Sequence, residues 1–105
     1  MSNQFNRHIK RREIMILALS KQMKKNRLDH QYTVRDLSNK TGISFAYINQ
    51  LENNKRGSVT LDTFFRLSEA FDMMPSQLLK NIEDDIRLLD ENFFSNCSSN
   101  EKDQP

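Results

Sequence analysis

An all-α fold is the class this sequence predicts, and three observations carry that prediction. Apolar residues recur along most of the chain at helical rather than alternating spacing. Glycine and proline are scarce, two of each in 105 residues, so few positions interrupt regular structure. Side chains of the N-capping type, Thr33, Ser44 and Thr60, stand directly before three of the periodic stretches. The length fits one domain, and 36% hydrophobic with 29% charged residues is too apolar for a chain disordered throughout.

The first helix is expected over residues 9–26, where Ile9, Ile16, Leu19 and Met23 fall near one face. Residues 27–32 have no period and read as a connection. Thr33 then caps a second helix, and Asp36 three residues later completes a capping-box pattern. Val34, Leu37 and Ser38 share its inward face. The pair Thr41-Gly42 ends it, because glycine adopts the left-handed conformation that a helix stop favours. Ser44 caps a third helix from Phe45 to about Asn53, with Ile48 and Leu51 turned to the core. Asn53, Asn54 and Gly57 mark a turn. Thr60 caps a fourth helix whose apolar stripe is Leu61, Phe64, Leu67 and Phe71, and Pro75 suits the first turn of a fifth.

Charge divides the chain unevenly. Residues 1–80 carry fourteen Lys and Arg against seven Asp and Glu, a net +7, whereas residues 81–105 carry two against seven, a net −5. A basic body fits a polyanion partner, and the acidic end points to a separate role. One cysteine, Cys97, excludes an intrachain disulfide, and His8 and His30 lack metal-ligand spacing, so no cofactor is expected. Arg7, Lys10, Arg11 and Arg12 ahead of the apolar run 14–19 imitate a secretion signal. That run is too short for a signal core or a membrane span, and the expectation is a cytoplasmic chain with no membrane partner. No phosphate-binding glycine loop or nucleophile–base motif is visible, which argues against an enzyme.

Residues 33–56 hold the informative constellation: two short capped helices joined by a tight glycine corner, with small Ser38 one turn before it and apolar Ile43 after it. This is a helix-turn-helix pattern, whose second helix enters the DNA major groove. Ala46, Asn49, Gln50 and Asn53 fall at i, i+3, i+4 and i+7, opposite Ile48 and Leu51. Amide side chains pair bidentately with adenine, while Phe45 and Ala46 suit thymine methyls. Asparagine and glutamine are also common on solvated faces, and the capped two-helix context is what favours base reading. Lys40, Lys55 and Arg56 are placed to meet the sugar-phosphate backbone.

In these positions the chain resembles the phage-repressor and Cro-like (XRE) helix-turn-helix family. The residues carrying the resemblance are Leu37, Gly42, Ser44, Tyr47, Ile48, Leu51 and Glu52, then Lys55, Arg56, Thr60, Leu61, Thr63, Leu67, Ala70 and Leu78-Leu79. The resemblance spans about residues 33–80, with 9–26 as the family's first helix. It implies a compact five-helix, lambda-repressor-like DNA-binding domain that binds DNA as a dimer. It also implies that Ser44, Phe45, Ala46, Asn49 and Gln50 face the bases, with Lys40, Tyr47, Asn53, Lys55 and Arg56 near the backbone. Glu52 is expected in a structural ion pair or cap, since its charge repels phosphate. Three features depart from the family pattern. Val34 replaces a glutamine that often grips a phosphate, Phe45 is bulky for a base-reading position, and the connection before Thr33 is long.

Leu78, Ile82, Ile86, Leu89 and Phe93 recur at steps of four, four, three and four, an apolar seam extending the fifth helix. Such a stripe is buried either by a second copy, giving a dimer, or by folding back on its own domain. The expected organisation is a DNA-binding domain over residues 1–80, a dimerising helical extension over 81–94 and a disordered polar tail over 95–105. The functional expectation is a transcriptional repressor that binds a near-palindromic double-stranded operator as a homodimer. The alternative is an antitoxin-type protein whose acidic C-terminal helix holds a protein partner.

Overall fold

The computed structural model describes residues 2–89, with the side chains of residues 10–88. Five helices follow in order: α1 (Ser2–Asp29), α2 (Val34–Thr41), α3 (Phe45–Glu52), α4 (Leu61–Ala70) and α5 (Pro75–Leu89). No strand occurs among the described residues.

Side chains set the starts of the three middle helices. Thr33 Oγ1 accepts from the Asp36 N–H at 3.0 Å while the Asp36 carboxylate accepts from the Thr33 N–H at 2.9 Å, a complete capping box. Ser44 Oγ accepts from the Tyr47 N–H and Thr60 Oγ1 from the Thr63 N–H, each at 3.1 Å. Among the described residues, helix stops use the left-handed conformation four times, once with glycine. Gly42 has φ +76°, while Gln31, Asn54 and Asp72 have φ of 61°, 57° and 56°. After each of these three, the next N–H reaches back five residues: Tyr32 to the Arg27 carbonyl, Lys55 to Gln50 and Met73 to Ser68, at 2.8–3.0 Å. These bonds satisfy carbonyls that the helix end would otherwise leave orphaned.

The core is continuous through all five helices. Ala18, Leu19 and Met23 of α1 meet Leu37, Ile48, Leu51, Leu67 and Phe71 of the middle segment and Leu78, Ile82 and Ile86 of α5. Helix α1 packs most extensively against α5, and α2 contacts both α3 and α4. A polar clamp lies beside the α1–α5 contact, where Gln22 Nε2 donates to Asp85 Oδ2 at 2.6 Å and Gln22 Oε1 accepts from Asn26 Nδ2 at 3.2 Å. Among the described residues, no buried side-chain nitrogen or oxygen lacks a hydrogen-bond partner.

Several expectations are corrected. The first helix starts earlier and ends later than residues 9–26, so the connection to α2 is only residues 30–33. Residues that looked like extra loop are its last turn, held because Arg27 reaches α3 and the Tyr32 carbonyl. Leu78, Ile82 and Ile86 do not form a free dimerisation seam: they are buried in the chain's own core against α1. Helix α5 runs through residue 80 without a break, as the continuous seam led us to expect. Leu61, placed in the apolar stripe of α4, is 70% exposed, because its position in the first turn lies outside the packed face. Leu89 and Phe93 of the seam and the polar tail 95–105 lie outside the residues whose side chains are described.

Burial of Ile86 makes its substitution a folding lesion. Ile86→Ala is expected to cost about 2–5 kcal/mol in urea denaturation. Ile86→Asp is expected to lose helical circular dichroism at all protein concentrations, whereas a folded monomer would return Ile86 to an intermolecular interface.

Candidate nucleic-acid interface

The corner between α2 and α3 is fixed by two hydroxyls and a glycine. Ser38 Oγ donates to the Ile43 carbonyl at 2.6 Å. Thr41 Oγ1 donates to the Leu37 carbonyl at 2.7 Å and accepts from the Ile43 N–H at 3.1 Å. Gly42 sits between them, and a Cβ there would stand 3.3 Å from Arg66 Nη1 in addition to the strain of its positive φ. Arg66 in turn donates to the Thr41 carbonyl at 3.2 Å, and Asp62 holds its guanidinium at 3.0 Å. The corner thus has little freedom to change the angle between the two helices.

Helix α3 is anchored beneath by Ile48 and Leu51, both fully buried. Its far end is anchored by charge. Arg27 Nε donates to Glu52 Oε2 at 2.6 Å and Arg27 Nη2 to Glu52 Oε1 at 3.0 Å, a two-pronged pair. Both side chains are largely buried, 11% and 6% exposed. Hydrogen bonding to Glu52 holds the guanidinium charged beyond its ordinary tendency, outweighing the opposing effect of burial. Glu52 is thereby a structural partner, as its repulsion from phosphate led us to expect.

Opposite this anchored face, Ser44, Phe45, Ala46, Asn49, Gln50 and Asn53 are all exposed. They are not equally free. Ser44 Oγ is occupied as the cap acceptor, leaving its hydroxyl hydrogen to donate. Asn53 Nδ2 donates to the Asn49 carbonyl at 2.8 Å and lies 3.4 Å from Asn49 Oδ1, so Asn53 closes the helix end. The Gln50 amide has no hydrogen-bond partner among the described residues. A neutral amide face of this kind presents donors and acceptors together without setting carboxylates against phosphate.

Cations surround the face. Lys55 and Arg56 extend from the turn after α3, and Arg56 lies over the Tyr47 ring at 4.5 Å. The Tyr47 hydroxyl donates to the Ser58 carbonyl at 3.5 Å, bracing that turn. Lys40, on α2, lies over the Tyr32 ring at 5.1 Å. One member of this rim was missed in the sequence. Arg35, the second residue of α2, stacks its guanidinium 4.9 Å from the centre of the Phe45 ring. A cation–π contact between residues ten apart on different helices leaves no local pattern, although the unexplained bulk of Phe45 was a hint.

A rigid two-helix corner, a neutral amide face and a cationic rim define a small helix-turn-helix DNA-binding protein. A model of the helix-turn-helix family matches residues 23–78, from the last two turns of α1 to the first turn of α5 and over half the chain. The chain belongs to this family, of the XRE type, and is a DNA-binding transcription regulator; the matched domain is a regulator domain and not an enzyme family. No curated protein and no solved structure matched the chain. Among the described residues no group of His, Cys, Asp and Glu is placed to hold a metal, and no helix is long and apolar enough to cross a membrane.

The capping box that opens the motif carries a pH signature. Hydrogen bonds from Thr33, first its backbone N–H, hold the Asp36 carboxyl below the ordinary aspartate range, with help from Lys40. A depressed folded-state value means that the stabilisation is present above the unfolded value of about 3.9 and fades as pH falls through the folded one. Wild type is expected to exceed Asp36→Asn in stability at neutral pH, with the gap closing below about pH 4. Parallel denaturation curves across that range check it; a gap independent of pH would remove the carboxylate from the cap.

Proposed function

We propose that the chain is a cytoplasmic repressor that binds a near-palindromic operator as a homodimer, with α3 in the major groove. The observation that supports this most directly is the unpaired Gln50 amide beside Asn49 on the exposed face of an anchored helix. Gln50 and Asn49 read adenine edges, Ala46 and Phe45 meet thymine methyls, and Ser44 donates its hydroxyl hydrogen from the helix start. Lys40, Lys55 and Arg56, with Tyr47 and Asn53 beside them, take the sugar-phosphate backbone. Val34 offers no hydrogen bond at the start of α2, and Arg35 next to it supplies a cation in its place. Half-sites are expected about 34 Å apart, one turn of DNA.

With Leu78, Ile82 and Ile86 committed to the core, dimerisation falls to apolar side chains left uncovered. Leu61 and Leu79, the latter 41% exposed, border a shallow apolar groove between α1, α4 and α5. A second copy presenting the same patch is the occupant we assign to it, since two-fold pairing is self-complementary. The acidic side chains that a partner-binding alternative would use are partly engaged within the chain, Asp84 with Lys80 and Asp85 with Gln22. Leu79→Glu is expected to halve the mass seen by light scattering while leaving the helical signal intact. An unchanged dimer would move the interface elsewhere, and a wild-type monomer on operator DNA would refute two-fold binding.

Selection of bound duplexes from a random pool tests the reading as a whole and is expected to return a two-fold symmetric consensus. On that consensus Gln50→Ala is expected to lose about 1–3 kcal/mol of discrimination, with non-specific binding nearly unchanged. Equal losses on both kinds of DNA would take Gln50 off the base edges.

A further inference from the structure

Guanine is the base that the exposed face of α3 is least equipped to read. Its commonest partner in the major groove is an arginine or lysine set against O6 and N7. The exposed positions from Ser44 to Asn53 hold hydroxyl, apolar and amide side chains and no cation. A guanine contact therefore has to come from a neighbouring element that reaches the reading face.

Of the arginines around α2 and α3, two are engaged by polar partners. Arg27 forks onto Glu52 and the Tyr32 carbonyl, and Arg66 is held by Asp62 and the Thr41 carbonyl. Arg56 lies over Tyr47 in the turn beyond the C-terminal end of α3. Arg35 stands at the opposite end of that helix, its guanidinium 4.9 Å from the centre of the Phe45 ring. Phe45 opens α3 and lies one turn before Asn49 on the same exposed side. The first residues of a recognition helix are the ones that meet base edges.

The contact with Phe45 uses the charge of the guanidinium and leaves its N–H groups free. No hydrogen bond or ion pair engages Arg35 among the described residues. The adjacent Asp36 carboxylate accepts from the Thr33 N–H and does not neutralise it. A guanidinium held against a ring loses less freedom on binding, and its planar fork matches two acceptors on one base edge. Orientation thus adds a second capacity to the cation that Arg35 brings to the start of α2.

We infer that Arg35 is a base-reading residue carried by α2 and positioned by Phe45, and that it hydrogen-bonds O6 and N7 of a guanine adjacent to the thymine whose methyl the ring meets. The inference rests on the proposed operator-binding function. It assigns a thymine–guanine step to the edge of the half-site that the first turn of α3 meets, beside the adenines assigned to Asn49 and Gln50.

The test uses the full-length protein on three duplexes: the selected operator, the operator with the guanine pair replaced by an adenine pair, and the operator carrying a guanine analogue that lacks N7. Wild type is expected to bind the adenine duplex about 5- to 150-fold more weakly, the range of one bidentate pair, and the analogue more weakly as well. Arg35 is exposed and holds no polar partner, so Arg35→Ala is expected to fold. That variant is expected to bind the three duplexes alike while keeping its preference at the adenines. Phe45→Leu keeps an apolar contact for the methyl but no ring, and is expected to lose most of the guanine preference; Phe45→Tyr is expected to retain it. A uniform loss of affinity in Arg35→Ala with the guanine preference intact makes Arg35 a backbone contact and overturns the inference, as does a consensus without that guanine. Full guanine preference in Phe45→Leu overturns the positioning by the ring. Wild type alone also decides, since equal affinity for guanine and its analogue removes N7 from the contact. All these outcomes leave operator binding standing, whereas the absence of any consensus overturns the proposed function and the inference with it.

Discussion

The placement of the recognition helix depends on the buried pair between Arg27 and Glu52. A helix of eight residues has too few internal hydrogen bonds to hold its own conformation in water, so tertiary contacts must fix both its ends. Its start is fixed by the Ser44 cap and the hydroxyl-braced corner. Its end is fixed by Glu52, which the Arg27 fork grips with two nitrogens while the third donates to the Tyr32 carbonyl at 2.9 Å. One guanidinium thus ties α1, the connection into α2 and the end of α3 together. Such a pair adds little net stability over a well-packed apolar substitute, yet losing one partner strands a buried charge at about 3–5 kcal/mol. Its structural value is geometric: two parallel hydrogen bonds allow one orientation, whereas apolar packing alone allows α3 to slide.

Packing of α5 shows why an apolar seam read from sequence does not name its occupant. Leu78, Ile82 and Ile86 have the spacing of an interface between two chains, and the same spacing serves a helix docked on its own domain. What decides is whether a complementary face exists within the chain. Helix α1 supplies one because it is long enough to cover α3 and α5 together, with Met23 fully buried in the shared core. Its length was illegible in the sequence, since residues 2–8 have no apolar period and residues 27–29 look like the start of a loop. The α1 residues that share the core with α5, Ala18, Leu19 and Met23, fall inside the expected helix, but periodicity alone does not say which other helix a face covers.

Local rules were legible where one residue carries the signal. The caps Thr33, Ser44 and Thr60, the corner at Gly42 and the start at Pro75 all stand where their chemistry predicts. The outward stripe of α3 was equally legible, because Ile48 and Leu51 fix its inward face and leave Asn49 and Gln50 opposite. Helix stops at Gln31, Asn54 and Asp72 were harder: residues other than glycine adopt a left-handed turn there because the five-residue return bond repays the steric cost. Asn54 had a hint in its residue type, and Gln31 had none. Interactions between distant segments, Arg27 with Glu52 and Arg35 with Phe45, were beyond any periodicity argument, although the charge of Glu52 on a phosphate-facing element demanded some partner.

The distribution of charge around α3 separates two kinds of work. The face opposite Ile48 and Leu51 bears no ionised group from Ser44 to Asn53 apart from the buried Glu52. Cations stand instead on neighbouring elements: Arg35 and Lys40 on α2, Lys55 and Arg56 after α3. Bidentate amide readout depends on angles and distances, so it belongs on an element locked by a cap, a corner and a buried ion pair. Attraction to phosphate depends on charge density and tolerates motion, so it can rest on long exposed side chains at the rim. The two aromatic rings at the rim refine that division. Phe45 and Tyr47 hold Arg35 and Arg56 in place without neutralising them, as a carboxylate partner would. Each guanidinium is thereby oriented while keeping its full charge for the polyanion.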